Sequence, residues 1–313
     1  MISPSGEQIT ISLGDQQAVI VEVGGGIRSY SAGSRELVDG YAAHEMGSSG
    51  RGQVLIPWPN RLEGGSYEFD GKHHQLPLNE PERRNAIHGL VRWATWSVAE
   101  REAHRVVMQH VLYPQPGYPF LLRTSIEYAL SDRGLRVKTT TTNLSSERCP
   151  FGRGAHPYLT LGTATIDRLF LTLPAGTVLQ SDQRGLPIDS KAVDGSNYDF
   201  RQSRPIGSTV LDHAFTDLQR DEDGIACVKL RDSDTGLQVS LWVDHSYPYL
   251  MLFSGDSLAN LSRRSLAVEP MTCPPNAFRT GVSLIRLESG SSCTGTWGIA
   301  SEWNSTDSRA DVA

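Results

Sequence analysis

Three separated segments of this chain each carry one side chain suited to moving protons. They are Ile87-His88-Gly89, Gly154-Ala155-His156-Pro157-Tyr158 and Val268-Glu269-Pro270, and together they supply two imidazoles and one carboxylate. Positioned imidazole and carboxylate groups can give and take protons on the two sides of a small polar ring. If the fold brings the three side chains together, they predict an acid/base enzyme that needs no cofactor.

The residues around Glu269 predict a fixed and partly buried position for its side chain. Glu269 closes the apolar run Ser265-Leu266-Ala267-Val268 and precedes Pro270, which cannot donate a hydrogen bond to a central ladder. We therefore expect Glu269 at the edge or mouth of a sheet, where partial burial raises the pKa of a carboxyl group. Taken singly, His88, His156 and Glu269 are each compatible with a structural role. A catalytic role is favoured only if the fold brings the three side chains together.

Other polar groups near these segments are candidates for holding a polyhydroxylated substrate. Arg61 follows the rigid turn Pro57-Trp58-Pro59-Asn60, and its guanidinium fork suits hydroxyl groups or a carboxylate. A structural ion pair is an equally good interpretation of Arg61. Asp212 could accept hydroxyl protons or could stabilise a turn. An aromatic floor for a sugar could come from Trp58, Trp93 or Tyr158.

Short β-strands are predicted to carry these groups. Apolar or alternating runs recur between turn sequences such as Asp70-Gly71, and alternation is clearest in Ser125–Leu130. Only Glu80–Asn85 and Ala259–Arg264 could form a helical turn. Many short strands with Asp-Gly turns predict an all-β sandwich or barrel. With no linker in the middle of the chain, we expect one domain over residues 1–300 and a loose tail over 301–313.

Composition narrows the class of protein. The 313 residues are 38% hydrophobic and 20% charged, with a net charge of −6, which indicates a globular protein without a nucleic-acid partner. No apolar run is long enough to span a membrane, and residues 1–5 lack the basic and apolar regions typical of a signal peptide, so none is expected. The four cysteines lack metal-ligand spacing. We therefore expect a cytoplasmic protein that is monomeric or homodimeric and binds no metal.

Taken in order, the motifs resemble those of the aldose 1-epimerase (galactose mutarotase) family over roughly residues 10 to 300. The matching segments are Pro59-Asn60-Arg61 with Gly64 and Gly65, Tyr67–Gly71, Ile87-His88-Gly89 with Trp96, Thr142-Asn143-Leu144-Ser145, His156-Pro157-Tyr158, Leu211–Phe215 and Val268–Thr272. The resemblance implies a β-supersandwich that interconverts the α and β anomers of a free aldose such as glucose or galactose, without a cofactor.

The resemblance also implies roles for individual residues. Glu269 matches the family's catalytic base, His156 its general acid, and His88 a helper on the ring-oxygen side. The substrate-binding residues that it implies are Arg61, Asp212, Asn60 and Tyr158. One departure concerns the strand containing Met251, where many relatives carry a glutamine, and it affects the choice of sugar and not the proton chemistry.

Four other functions are compatible with the same residues. A hexose-6-phosphate epimerase would need arginines or lysines at the mouth of the site, and a non-catalytic carbohydrate-binding or sensor protein would tolerate changes at Glu269. A glycoside hydrolase would use Asp212 as a second carboxylate. A metal-dependent enzyme would use His88, His156 and Glu269 as a facial set of ligands.

Overall fold

The computed structural model of the protein describes residues 3–302. The tail predicted to be loose lies outside the described residues from position 303 onward. Within the described part, no helix has the length and apolar character needed to cross a membrane.

The described chain consists almost entirely of short strands that pair in antiparallel fashion. The strands of the first half are β1 (Gln8–Leu13), β2 (Gln16–Val21), β3 (Ile27–Ala32), β4 (Arg35–Val38), β5 (Val54–Leu55), β6 (Arg61–Glu63), β7 (Ser66–Phe69), β8 (Lys72–Gln75), β9 (Asn85–Ile87), β10 (Ser97–Arg101), β11 (Arg105–Leu112), β12 (Leu122–Ser131) and β13 (Gly134–Asn143). Those of the second half are β14 (Cys149–Phe151), β15 (Gly154–Ala155), β16 (Tyr158–Leu159), β17 (Phe170–Thr172), β18 (Ala175–Ser181), β19 (Pro187–Ala192), β20 (Arg204–Pro205), β21 (Asp212–Leu218), β22 (Ala226–Arg231), β23 (Gln238–Val243), β24 (Tyr249–Phe253), β25 (Leu266–Met271), β26 (Ile285–Leu287) and β27 (Ser292–Ala300).

Helical structure among residues 3–302 is confined to three short pieces. Two are single 3₁₀ turns, Pro81–Arg83 and Ala259–Leu261, in the two segments where the sequence predicts a helical turn. The third is α1 (Ala277–Thr280), which the sequence analysis missed. Four residues are too few to produce a helical hydrophobic period, so no pattern could have indicated it.

Two large sheets carry most of the strands. The larger sheet has twelve strands in the order β1-β2-β3-β4-β16-β25-β24-β21-β18-β19, with β15 and β5 joined to it through β25. The smaller sheet has nine strands in the order β10-β11-β12-β13-β27-β23-β22-β17-β20. The remaining strands form three two-stranded ribbons, β14 with β26, β6 with β9 and β7 with β8.

One continuous hydrophobic core lies between the two sheets. The smaller sheet contributes alternate residues of β12, among them Ile126, Tyr128 and Leu130, as the period of two predicts. The larger sheet contributes residues such as Ile20 and Leu252 to the same cluster. Each sheet thus buries one face against the other, which confirms the predicted all-β sandwich.

The expectation that Glu269 ends a strand at a sheet edge is wrong. β25 lies inside the larger sheet, between β16 and β24, and continues through Pro270, which pairs with Leu250. On the other side of β25, the N–H group of Val268 donates to the carbonyl of Pro157 and that of Thr272 to the carbonyl of Arg153. Pro270 lies between these two hydrogen bonds. The neighbour changes there from β16 to β15. Pro270 is tolerated because the ladder is interrupted at this point.

Candidate active site

The side-chain alternation of β25 directs Glu269 away from the core. Val268 is fully buried between the sheets, whereas Glu269 lines a cleft of about 570 Å³ on the opposite face of the larger sheet. Met251 pairs with Glu269 on the adjacent β24, and Phe253 pairs with Asp212 on β21. These side chains also line the cleft. Three neighbouring strands therefore form its floor.

His156 enters the cleft at the interruption in the larger sheet, between β15 and β16. Its backbone N–H donates to the carbonyl of Gln53 at 3.1 Å, and its carbonyl accepts from the N–H of Gly52 at 3.0 Å. Gly50 has a φ of 81°, and a Cβ atom at this position would overlap the imidazole of His156. The backbone of residues 50–53 therefore packs directly on His156, which explains the need for glycine at position 50.

The fold brings together the three groups predicted for proton transfer. Nε2 of His156 lies 3.3 Å from Oε1 of Glu269. The ring of His88 meets that of His156 edge-on, with 5.4 Å between centroids and 72° between planes. All three side chains are buried: His88 is 8% exposed, His156 5% and Glu269 2%. Among the described residues, Oε2 of Glu269 has no hydrogen-bond partner, which leaves it available to a polar ligand.

A backbone hydrogen bond assigns the tautomer of His88. The N–H of Asn60 donates to Nδ1 of His88 at 3.2 Å, and the N–H of His88 donates to the carbonyl of Asn60 at 2.9 Å. Because Nδ1 accepts a hydrogen bond, the proton of the neutral ring sits on Nε2. His88 therefore offers an N–H donor. Burial, and then the nearby His156, lowers its pKa well below the ordinary value and keeps it uncharged.

Burial shifts the proton affinities of Glu269 and His156 in opposite directions. It raises the pKa of Glu269 well above the ordinary value, and the charge of Asp212 raises it further. It lowers the pKa of His156 to about 3, mainly through loss of solvation. Burial therefore favours the neutral form of both groups, with the proton on Glu269 and not on His156.

Arg61 is both an ion-pair residue and a cleft residue. Its Nε and Nη2 atoms donate to the carboxylate of Glu80 at 3.0 to 3.2 Å, and the side-chain amide of Asn85 donates to the same carboxylate at 2.9 Å. Arg61 nevertheless lines the cleft beside Asn60, which has a left-handed φ of 54°. The ion pair holds the guanidinium in one orientation, so the two interpretations of Arg61 are compatible.

Of the two remaining predicted binding residues, Asp212 and Tyr158, only one lies in the lining of the cleft. Asp212 lines the cleft, but Tyr158 is absent from its lining. The ring of Tyr158 stacks on that of His156 at 5.0 Å and 13°, and its hydroxyl donates to the carbonyl of Ser49 at 2.8 Å. Its contact with the site runs through His156, because its own polar atom is already bonded.

Two further side chains line the wall of the cleft: Arg92, to which the sequence analysis assigned no role, and Trp93, one of the three candidates for an aromatic floor. Arg92 is half-buried in the wall and donates to Oε1 of Gln53 at 3.3 Å. Trp93 is 55% exposed in the same wall, whereas Trp58 is buried against Phe278, so of the two tryptophans only Trp93 can face a ligand. The only signal for Arg92 in the sequence was its position shortly after His88.

The same trio is the one cluster of possible metal ligands found within residues 3–302. One ligand atom from each of His88, His156 and Glu269 lies within 4.8 Å of the others. A histidine ligand must present a nitrogen lone pair to the ion. In His88, Nδ1 already accepts from Asn60 and Nε2 carries the proton. The trio thus fits hydrogen bonding to a polar ligand better than it fits a metal ion.

Comparisons with known proteins agree with this architecture. The family model for aldose 1-epimerases matches residues 7–299. The uncharacterized protein YihR of Escherichia coli (strain K12) is 37% identical over 287 residues, which cover 91% of this chain and 90% of YihR. Galactose mutarotase of Homo sapiens is 25% identical over 236 residues, covering 70% of this chain and 66% of the human protein.

Solved structures share the fold. The crystal structure of an aldose epimerase homologue from Caenorhabditis elegans has a TM-score of 0.83 at 17% identity and covers 94% of this chain and 99% of its own. That of a putative aldose 1-epimerase from E. coli K12 has a TM-score of 0.81 at 20% identity, covering 95% and 99%. The fold is therefore galactose mutarotase-like. The chain belongs to the aldose 1-epimerase family.

Proposed function

We propose that the protein is an aldose 1-epimerase that interconverts the α and β anomers of a free hexose such as glucose or galactose. The observation that carries this proposal is the Glu269–His156 pair, 3.3 Å apart and buried at the base of an open cleft. Membership of the family supports it. Asn60, Arg61 and Asp212 line the same cleft and are proposed to bind the sugar hydroxyls.

Ring opening needs one proton removed from the C1 hydroxyl and one delivered to the ring oxygen. In the proposed mechanism, the Glu269 carboxylate takes the first and protonated His156 supplies the second, while the bond from C1 to the ring oxygen breaks and C1 becomes a carbonyl. Rotation about C1–C2 exposes the other carbonyl face, and the same groups close the ring in reverse. His88 donates its Nε2 proton as a hydrogen bond and does not titrate.

The protonation preferences of the buried pair favour this opening step. Before the reaction the pair carries a carboxylate and an imidazolium, both of which burial disfavours. After opening, Glu269 is protonated and His156 is neutral, which is the arrangement that burial favours. Proton transfer to and from the sugar therefore neutralises two buried charges. Forming the carboxylate and the imidazolium in the buried site costs free energy, and the opening step recovers that cost.

The direct test is the rate at which freshly dissolved α-glucose or α-galactose reaches anomeric equilibrium, followed by polarimetry or by NMR exchange. We expect the protein to accelerate mutarotation of at least one free hexose by more than about 10²-fold over buffer, the lower end of what positioned acid/base groups contribute. Binding of a hexose without any acceleration would instead support a non-catalytic sensor. Release of p-nitrophenol from an aryl glycoside would support a hydrolase.

A hexose with an anionic group remote from C1, such as a hexose 6-phosphate, is the second candidate substrate. Arg92 favours it, because within residues 3–302 its guanidinium has a hydrogen bond to Gln53 but no carboxylate partner. A half-buried guanidinium in that situation suits an anion. Arg83 lines the same cleft as a second cationic group, together with the carboxylate of Glu82.

Substitution of Arg92 separates the two substrate classes. For a phosphorylated substrate, we expect Arg92→Gln to lower kcat/KM by about 10- to 100-fold, since a hydrogen bond to a charged group contributes about 1.5–3 kcal/mol. The value for unphosphorylated glucose is expected to change little. The measurement is mutarotation of glucose and glucose 6-phosphate by wild type and variant. Equal kcat/KM for both sugars in both proteins would exclude the anionic candidate.

A further inference from the structure

The imidazole of His156 is supported from behind by a stack of side chains that lie outside the cleft. Tyr158 packs against it nearly in parallel, and the guanidinium carbon of Arg51 lies 4.3 Å from the centroid of the same tyrosine ring. Arg51 and Tyr158 are 2% and 1% exposed. Neither lines the cleft, so any effect they have on the reaction must pass through His156.

Arg51 is itself held in place by an ion pair. Its Nη2 atom lies 3.2 Å from Oδ2 of Asp39, and Asp39 also accepts from Arg264 at 2.6 Å and from the hydroxyl of Ser265 at 2.7 Å. Ser265 directly precedes β25, the strand that carries Glu269. The Asp39 carboxylate thus ties Arg51 to the strand of the catalytic base, while Arg51 contacts the ring that backs the catalytic acid.

The loop around Arg51 also contacts His156 through its backbone. Gly50 packs on the imidazole, and the backbone of Gly52 and Gln53 forms hydrogen bonds on both sides of His156. Arg51 lies in the middle of this loop. Its side chain and its neighbours' main chain therefore constrain the same histidine from two directions.

We propose that Arg51 is a positioning residue for His156, acting through the ring of Tyr158. It fixes the orientation of the imidazole toward Glu269, and its positive charge discourages a second proton on the pair. The ring stacking limits rotation of the imidazole, and a guanidinium suits this place because it is planar, permanently charged and weakly hydrated. The kinetic part of this proposal rests on the proposed epimerase function.

Several titratable or cationic groups face His156 and together decide its protonation. They are Glu269 on β25, His88 after β9 and the guanidiniums of Arg51, Arg61 and Arg92. Burial is the largest cause of the low pKa of His156, and among these guanidiniums Arg51 lowers it most. Removal of Arg51 should therefore raise the pKa of His156, and protonation of the pair should begin at a higher pH.

The test compares Arg51→Met, Arg51→Lys and the control Arg264→Met. For Arg51→Met we expect kcat to fall about 10-fold and KM to change less than about 3-fold. The loss in kcat is a fraction of the rate acceleration of about 10²–10⁴-fold that a positioned acid contributes. The acidic limb of the pH–kcat profile should move to higher pH. Arg51→Lys keeps the charge, so it should keep the wild-type limb and recover part of kcat. Arg264→Met removes a cation from Asp39 but leaves the stack, and it should resemble wild type.

A second readout does not depend on activity. In protein with isotope-labelled histidine, NMR should show His156 titrating at a higher pH in Arg51→Met than in wild type or Arg264→Met. Unchanged titration together with unchanged kcat in Arg51→Met would overturn the proposal. An equal loss of kcat in Arg264→Met would also overturn it, because the role would then be general stability. If wild type does not accelerate mutarotation, the proposed function fails and the NMR comparison still decides the role of Arg51.

Discussion

Glu269→Gln is expected to lower kcat/KM for mutarotation by about 10³-fold or more, within the range that a positioned base contributes. Glutamine has nearly the same shape but cannot accept the proton of the C1 hydroxyl. No other carboxylate is buried beside His156 within the described chain, since Asp212 is half-buried on a different strand. Polarimetry with the hexose that wild type converts fastest measures the loss.

Stability measurements show whether the loss at Glu269 is chemical or structural. Burial raises the pKa of Glu269 above its ordinary value of 4.5, so over the interval between the two values the unfolded chain releases a proton that the folded chain keeps. Wild type therefore loses stability as the pH rises through that interval. The glutamine variant has no such penalty, and its Tm should exceed that of wild type by more at pH 8 than at pH 4.5. Near-normal mutarotation by a correctly folded variant would remove Glu269 from the mechanism.

His156→Asn is expected to reduce kcat by about 10²- to 10³-fold while KM changes less than about 3-fold. The imidazole supplies its proton only as the bond to the ring oxygen breaks, so its loss affects the transition state more than the bound sugar. Asparagine keeps a polar side chain of similar reach but cannot carry an additional proton. Initial rates over a range of hexose concentrations separate kcat from KM.

A matched control for His156 is His110→Asn. His110 is a histidine on β11 that does not line the cleft and contacts the carbonyl of Thr95 through Nδ1 at 3.0 Å. This variant should keep wild-type kcat and KM. An unchanged kcat with a raised KM in His156→Asn would make His156 a binding residue, and the proton donor would have to be sought elsewhere.

Much of the fold could be predicted because side-chain alternation is a local property. A strand exposes alternate residues to opposite faces, so Ile126, Tyr128 and Leu130 indicate a half-buried strand without reference to any partner. Turn residues such as Asp70-Gly71 separate the strands, and Asp70 indeed has a left-handed φ of 50°. The helix α1 could not be predicted because four residues are too few to show a helical period. The central place of Pro270 depends on strands that are distant in sequence.

Residue types and their neighbours along the chain were enough to identify which side chains could perform the chemistry. Few types of side chain can exchange protons near neutral pH. The segments around His88, His156 and Glu269, in which Gly or Pro follows the polar residue, were therefore identifiable from residue type and from their likeness to a family. The tertiary structure alone decided that Glu269 lies 3.3 Å from His156. It also decided that Asn60 selects the tautomer of His88, and that Tyr158 supports an imidazole instead of facing the cleft. Distances and proton affinities depend on which strands pair and how deeply they are buried, and neither is encoded in a single stretch of chain.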